Sequence, residues 1–151
     1  MSLKIGSPQL ILDLYEWLPI EGESKVSFRS AGVDVIVDVE YEKELLSSDE
    51  GNATLLCRRE ISFKFSRYFV KTPFPGGVFF DYDKNSQKPS VGGLTEFLDS
   101  EFAKNSIDAH QSMHGGKEPK MRHFSVQFLS ANIGFHVLAE DVLLSDELPV
   151  N

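Results

Sequence analysis

The stretch "VDVIVDVEYEKELL", residues 33–46, decides the predicted fold of this chain. Apolar side chains occupy every second position from Val33 to Tyr41, and the positions between them are mostly acidic. A period of two places alternate side chains on opposite faces of an extended backbone, which β-branched residues favour. The stretch therefore predicts a β-strand that turns one face to the core and the other to water.

The segments around this strand predict further strands. "SKVSFRSAG", residues 24–32, predicts a shorter strand that ends at its glycine. "TLLCRREISFKFSRYFV", residues 54–70, alternates until Ser66, where the parity shifts and predicts a bulge or a bend. Near the C-terminus, two alternating runs flank "SANIG", residues 130–134, and predict a hairpin.

Two segments bear on helix content. "LTEFLDSEFAKN", residues 94–105, repeats its apolar side chains at helical spacing and predicts an amphipathic helix, with a polar loop over residues 105–120. Residues 8–18, "PQLILDLYEWL", fit a strand or a helix, and the strand is favoured because its neighbours are strands. The predicted fold is α+β and β-dominated, with a curved antiparallel sheet (a sandwich or partial barrel) covered by one helix, in a single domain spanning residues 1–151.

Composition limits the partners and the compartment. The chain has 23 acidic and 15 basic residues, for a net charge of −8. Binding of phosphate groups needs clustered Lys and Arg, so nucleic acid and anionic membrane surfaces are excluded, whereas a basic protein partner fits. Cys57 is the only cysteine, and "MSLKIGSPQLILDLYEW" at the N-terminus has no long apolar run. These features predict a cytoplasmic protein without an internal disulfide.

The acidic side chains of the deciding stretch are the candidate binding residues. On one strand face, successive carboxylates lie roughly 7 Å apart and repel one another. Pairing with Arg58 and Lys64 of the next strand would explain them, and so would protection of a sheet edge. The functional interpretation is a docking face for a basic protein partner. The residues are Asp38, Glu40, Glu42 and Glu44.

A histidine-rich stretch, "HQSMHGGKEPKMRH" at residues 110–123, resembles a metal site at first inspection. His110 and His114 have the i, i+4 spacing that places two imidazoles on one helix face. However, two glycines follow His114 directly, and no glutamate stands beside the pair to act as a base. His123 opposes the core parity of its strand and is expected to face solvent. The stretch is therefore interpreted as a solvated loop without a metal.

The remaining motifs do not support chemistry. "DYDKNS", residues 81–86, matches the first ligand positions of a calcium loop, but Ser86 and Gly92 stand where glycine and glutamate are required. Cys57 shares the core parity of its strand and is expected to be a buried, inert thiol. No glycine-rich phosphate loop and no nucleophile elbow is present in the sequence. The prediction is therefore no catalytic residue, no metal and no cofactor.

The C-terminal third, an amphipathic helix, a polar loop and then "RHFSVQFLSANIGFHVLAEDVLL", resembles the ends of small acidic β-rich bacterial proteins. Some of these are similar to immunity proteins of polymorphic toxin systems. The resemblance rests on a hydrophobic pattern and carries no functional residue across. It implies a stoichiometric, non-catalytic inhibitor whose target would often be a basic nuclease or a similar toxin.

The leading hypothesis is thus a non-enzymatic cytoplasmic binding domain that docks a basic protein through the acidic face. The alternative is a small-ligand binder or minor enzyme with an aromatic pocket between sheet and helix, lined by Phe63, Phe65, Phe97 and Phe102. A third hypothesis is a structural subunit that forms a homodimer through exposed β-edges.

Overall fold

The computed structural model describes residues 3–19, 21–45, 53–73, 80–81 and 93–150. In chain order the strands are β1 (Leu3–Lys4), β2 (Pro8–Asp13), β3 (Lys25–Ala31), β4 (Asp34–Leu45), β5 (Ala53–Lys64), β6 (Tyr68–Pro73), β7 (Phe80–Asp81), β8 (Gly93–Phe97), β9 (Arg122–Phe128), β10 (Ile133–Ala139), β11 (Asp141–Leu144) and β12 (Leu148–Pro149). A single 3-10 turn, Leu14–Glu16, follows β2, and the helix α1 spans Glu101–His114.

Two antiparallel sheets pack face to face, which confirms the predicted β-dominated α+β fold. Sheet I has the strand order β2-β8-β9-β10-β6. Sheet II has the order β11-β5-β4-β3, and β12 also pairs with β5. A short parallel pair, β1 with β7, pairs with neither sheet. The predicted hairpin is confirmed as β9–β10, in which Ile133 lies opposite Phe128.

The deciding stretch is the central strand of sheet II. Val37, Val39 and Tyr41 of β4 are completely buried against apolar residues of sheet I, including Phe124 and Phe135. Burial of each such side chain stabilises the fold by roughly 1.5–3 kcal/mol. β4 pairs with both β3 and β5 as far as Glu40, so edge protection does not explain Asp38 and Glu40. At Glu42 and Glu44 β3 no longer pairs with β4, and there the interpretation stays a prediction.

The parity shift near Ser66 is confirmed as a bend at which the chain leaves one sheet for the other. β5 belongs to sheet II and ends at Lys64, whereas β6 belongs to sheet I and begins at Tyr68. Phe65 has a positive φ of 52°. This conformation is strained for a bulky side chain and is held by contacts with the β3–β4 turn.

The predicted helix over residues 94–105 is displaced in the structure. Residues 93–97 form β8, which lies between β2 and β9, and Leu94 and Phe97 are buried there. The helix begins after Ser100, whose hydroxyl accepts a hydrogen bond from the Ala103 amide, and it continues to His114. The predicted loop over residues 105–120 is therefore wrong as far as residue 114.

The prediction of a strand within residues 8–18 is confirmed for its first part. β2 pairs with β8 over Pro8–Asp13, and the Asp13 carboxylate then accepts the Tyr15 amide and caps the 3-10 turn. Leu14 and Leu18 are buried in the main core. This turn brings Trp17 against Tyr41 of β4, with ring centroids 5.1 Å apart.

Candidate functional site

The predicted acidic face divides into two parts. Asp38 is buried, and its carboxylate forms ion pairs with Arg29 Nε at 3.1 Å and Arg58 Nη1 at 3.5 Å. Arg29 and Arg58 also contact Glu60, so the four side chains form one network on the outer face of sheet II. The interpretation that Arg58 pairs across the strands is thereby confirmed, and Asp38 has no accessible charge to offer a partner.

The other acids lie progressively farther from basic neighbours. Glu40 is half-buried and lies opposite Lys25 and Arg58 in the strand registers. Strand β3 begins at Lys25, so β4 extends beyond it, and Glu42 and Glu44 project with exposed side chains. Within the described ranges neither of these two glutamates forms an ion pair. The part of the predicted docking face that is open to solvent is therefore its C-terminal end.

A groove lies beside this end of β4, with a volume of about 540 Å³. We call it the acidic groove. Its aromatic wall consists of Trp17 and Tyr41, and it contains five glutamates and two basic side chains among its lining residues. The charged lining residues are Glu16, Glu21, Glu42, Glu44, Glu147, Lys43 and Arg59.

Both basic side chains of the acidic groove are already engaged. Lys43 Nζ lies 3.0 Å from Glu147 Oε1, and the Tyr41 hydroxyl donates to the other oxygen of the same carboxylate at 2.5 Å. The guanidinium of Arg59 lies 5.1 Å from the centre of the Trp17 ring and donates to the Tyr41 oxygen at 3.4 Å. Four of the five glutamates, all but Glu147, thus carry charge that no ion pair in the described residues offsets.

Tyr41 and Glu147, which both line the groove, stabilise each other's protonation state. Burial, reinforced by the Glu147 carboxylate, raises the pKa of Tyr41 to about 12. Conversely, the hydrogen bond from Tyr41 and the neighbouring Lys43 lower the pKa of Glu147. At neutral pH the phenol therefore keeps its proton and the carboxylate keeps its charge.

A second polar cluster, which we call the histidine relay, consists of Ser100, His123 and His136. The Ser100 hydroxyl lies 2.6 Å from Nδ1 of His123, and Nε2 of His123 lies 2.8 Å from Nδ1 of His136. All three side chains are buried. The prediction that His123 faces solvent is wrong, because the face of sheet I that points away from sheet II is also covered, among others by Phe80 and Phe102.

The relay is not poised for acid–base catalysis. Burial, assisted by the neighbouring His136, lowers the pKa of His123 to about 2, and burial lowers the pKa of His136 to about 4. A general base works best with a pKa near the operating pH. Both rings are therefore neutral at neutral pH, and their geometry supports hydrogen bonding that fastens α1 to sheet I.

The other sequence candidates lie apart from one another. His110 and His114 are adjacent on α1, with ring centroids 4.7 Å apart, whereas His123 belongs to the buried relay. In the portion of the chain that the structure describes, no three His, Cys, Asp or Glu side chains group as a metal site. Most of the calcium-like stretch, from residue 82 onward, lies outside the described residues.

The structure also places Cys57 and the four phenylalanines of the predicted aromatic pocket. Cys57 is buried, as predicted, and burial raises the pKa of its thiol. Phe63 belongs to the main core and Phe97 to a smaller buried cluster that Phe102 packs against, while Phe65 is exposed at the bend. These four rings therefore do not line one common cavity.

The fold and the acidic groove define a two-sheet β-rich domain with an acidic surface site. No family model, no curated protein and no solved structure matches the chain. Within the described residues, no helix is long and apolar enough to cross a membrane.

Proposed function

We propose that this chain is a non-enzymatic binding domain that docks a basic protein through the acidic groove. One observation carries the proposal. Glu42 and Glu44 extend past the end of β3, where β3 supplies no basic partner, and they line the same groove as Glu16 and Glu21. Uncompensated like charges in one groove cost folding free energy, which a basic partner would recover on binding.

The groove matches the chemistry of a lysine or arginine side chain. Its glutamates would attract a positive charge at long range and speed the encounter. Ring faces attract cations, and Arg59 already occupies this position over Trp17, at 5.1 Å. Contact with a partner's cation therefore falls to the glutamates and not to the rings.

We further propose that the partner is a basic toxin, such as a nuclease, and that the chain acts as an immunity-type inhibitor in the cytoplasm. This step rests on the resemblance of the C-terminal third to the ends of such proteins. A stoichiometric inhibitor needs a complementary surface and no catalytic group. The acidic groove and the neutral, buried histidine relay are compatible with that role.

The test compares two charge-reversal variants. Glu42→Lys/Glu44→Lys changes the acidic groove, and Asp108→Lys/Glu118→Lys makes the same change of net charge at exposed positions outside the groove. Proteins captured by the immobilised wild type from host lysate at low salt are identified, and their affinity is measured across a salt series. We expect the groove variant to weaken binding about tenfold or more, and added salt to weaken wild-type binding.

The control variant should retain most of the wild-type affinity, because its reversed charges lie away from the contact. If the groove variant binds as tightly as wild type at every salt concentration, the acidic groove is not the docking site. If salt leaves the wild-type affinity unchanged, electrostatic docking is excluded.

A further inference from the structure

A separate cavity lies between α1 and the bend that joins β5 to β6. Its volume is about 380 Å³, within the range of small-molecule sites. The helix supplies His110, Met113 and His114, and the bend supplies Phe65 and Arg67. Among the described residues that line it, none is Asp or Glu, although the chain carries a net charge of −8. This local reversal of charge is the first sign of a distinct site.

The bend is held in a strained conformation that orients its side chains. The Asp34 carboxylate accepts the Phe65 amide at 2.9 Å and Lys64 Nζ at 3.0 Å, and these two interactions lower the pKa of Asp34. The Ser66 amide donates to the Val33 carbonyl at 2.8 Å. Strained backbone is maintained only where the surroundings impose it, and it is common at binding sites. Here it stacks the Arg67 guanidinium 5.0 Å from the centre of the Phe65 ring.

Arg67 differs from the other arginines of the chain. Arg29, Arg58 and Arg122 form ion pairs with carboxylates. Arg59 donates hydrogen bonds to the Tyr41 oxygen and to the backbone carbonyl of Ser145. Arg67 forms no ion pair within the described ranges, and its Nε is buried without a hydrogen-bond partner. A buried unsatisfied donor typically costs about 1–3 kcal/mol, and more when the group is charged. An anion bound in the cavity would give the rest of this guanidinium an ion-pair partner.

Two imidazoles also line the cavity. His110 and His114 lie with ring centroids 4.7 Å apart on the helix face that lines it. Burial lowers the pKa of His110, and the neighbouring Arg67 and His114 lower it further. The lowered pKa favours the neutral His110 ring, which can still offer a ring N–H to a bound oxyanion, while Arg67 supplies the positive charge.

The remaining walls are mostly apolar. Phe65, Tyr68 and Met113 are exposed, Val33, Ala109 and Met121 add further apolar surface, and Ser66 and Ser106 are the two small polar residues of the lining. Met113 is 80% exposed, which is unusual for a large apolar side chain. We infer that this cavity, the anion pocket, binds a small molecule that carries a phosphate or carboxylate on an apolar or aromatic body. The guanidinium of Arg67 would bind the oxyanion in the bidentate geometry that arginine favours, and the apolar walls would hold the body.

Binding of three probes to the full chain tests this inference: phenyl phosphate, benzoate and inorganic phosphate. Titration calorimetry measures affinity, and NMR of the histidine ring protons locates the site. We expect phenyl phosphate to bind most tightly, benzoate more weakly, and inorganic phosphate at least about tenfold more weakly than phenyl phosphate. Phenyl phosphate should shift the ring signals of His110 and His114 and leave those of the buried relay unchanged.

Variants separate the pocket from general charge effects. Arg67→Gln should weaken phenyl phosphate binding at least about tenfold, while Lys117→Gln, which removes one positive charge at an exposed position outside the pocket, should not change it. His110→Gln/His114→Gln provides a second test at exposed or half-exposed helix positions if Arg67→Gln impairs folding.

Three results would overturn the inference. The first is that no probe binds wild type. The second is that binding persists unchanged in both the Arg67 and the double histidine variants. The third is that inorganic phosphate binds as tightly as phenyl phosphate, which would remove the role of the apolar walls. These outcomes are independent of the acidic groove, whose variants leave the anion pocket intact.

Discussion

His123 and His136 contact each other across β9 and β10, with 2.8 Å between Nε2 and Nδ1, and both rings are excluded from water. The Ser100 hydroxyl extends this contact to the first turn of α1. Two neutral imidazoles thus link the helix to sheet I through hydrogen bonds. Burial disfavours the charged form of either ring, and this makes the stability of the protein depend on pH.

We expect the free energy of unfolding to fall as the pH is lowered from about 7 towards 4. In the unfolded chain a histidine has a pKa near 6.5, whereas in the fold the pKa of His123 is about 2 and that of His136 about 4. The unfolded state therefore binds more protons over this window, and the stability present above about pH 6.5 is progressively lost. Urea unfolding near pH 7 and near pH 5 should differ by a few kcal/mol.

His110→Gln/His114→Gln is the control for this pH dependence, because it leaves only the buried pair among the four histidines. The loss of stability should persist in that variant. Equal unfolding free energies near pH 7 and near pH 5 would show that the buried rings are not held neutral.

Replacing Asp38 with Asn should destabilise the fold rather than weaken docking. The change removes the carboxylate that pairs with Arg29 and Arg58, while Glu60 retains part of the network. We expect a loss of about 1–2 kcal/mol in the free energy of unfolding, because Asp38 is buried but its arginine partners are partly exposed. Chemical denaturation measures it. Glu44→Gln, at an exposed position of the same strand, should change stability by less than about 0.5 kcal/mol. Similar losses in the two variants would contradict the distinction between the paired, structural Asp38 and the exposed Glu44.

Ser100→Ala should destabilise the first turn of α1. The variant loses the cap on the Ala103 amide and leaves Nδ1 of His123 buried without its serine partner. The expected cost is about 2–3 kcal/mol, from the sum of a lost cap and an unsatisfied buried polar atom. Hydrogen exchange of the first helical turn should accelerate. Ser112→Ala, at an exposed position within the helix, should leave exchange at that turn unchanged.

The electrostatic potential of the acidic groove can be measured without any partner. Trp17 is the only tryptophan of the chain and lines the groove, so its fluorescence reports on this surface alone. We expect iodide to quench it much less than neutral acrylamide does, because the glutamates repel an anion. Glu42→Lys/Glu44→Lys should raise iodide quenching about twofold or more and leave acrylamide quenching similar.

Asp108→Lys/Glu118→Lys serves again as the matched control, since it changes the net charge by the same amount at a distance from Trp17. Its iodide quenching should remain close to that of wild type at moderate salt. Equal increases in the two variants would indicate an effect of total charge and not of the groove.

Local patterns in the sequence were sufficient to predict most of the sheet structure. The alternation of apolar and polar side chains over residues 33–45 predicted β4, because the two-residue period is a property of the extended backbone itself. For the same reason, the parity shift at Ser66 located the bend between sheets, and the two runs around residues 130–134 located the β9–β10 hairpin. The predicted helix began too early because the apolar residues of the segment 94–97 fit the helical period as well as the two-residue period of a strand. Only pairing with β2 and β9 selects the strand.

The candidate sites depended on tertiary structure. The sequence presented Asp38, Glu40, Glu42 and Glu44 as equivalent, and the length of β3 made them unequal by placing basic neighbours beside the first and none beside the last two. Likewise, parity alone assigned His123 to water, because a single strand does not show that both faces of its sheet are covered. Periodicity records how a backbone orients its own side chains, whereas exposure and charge compensation are set by neighbours distant in sequence, and those are present only in the folded chain.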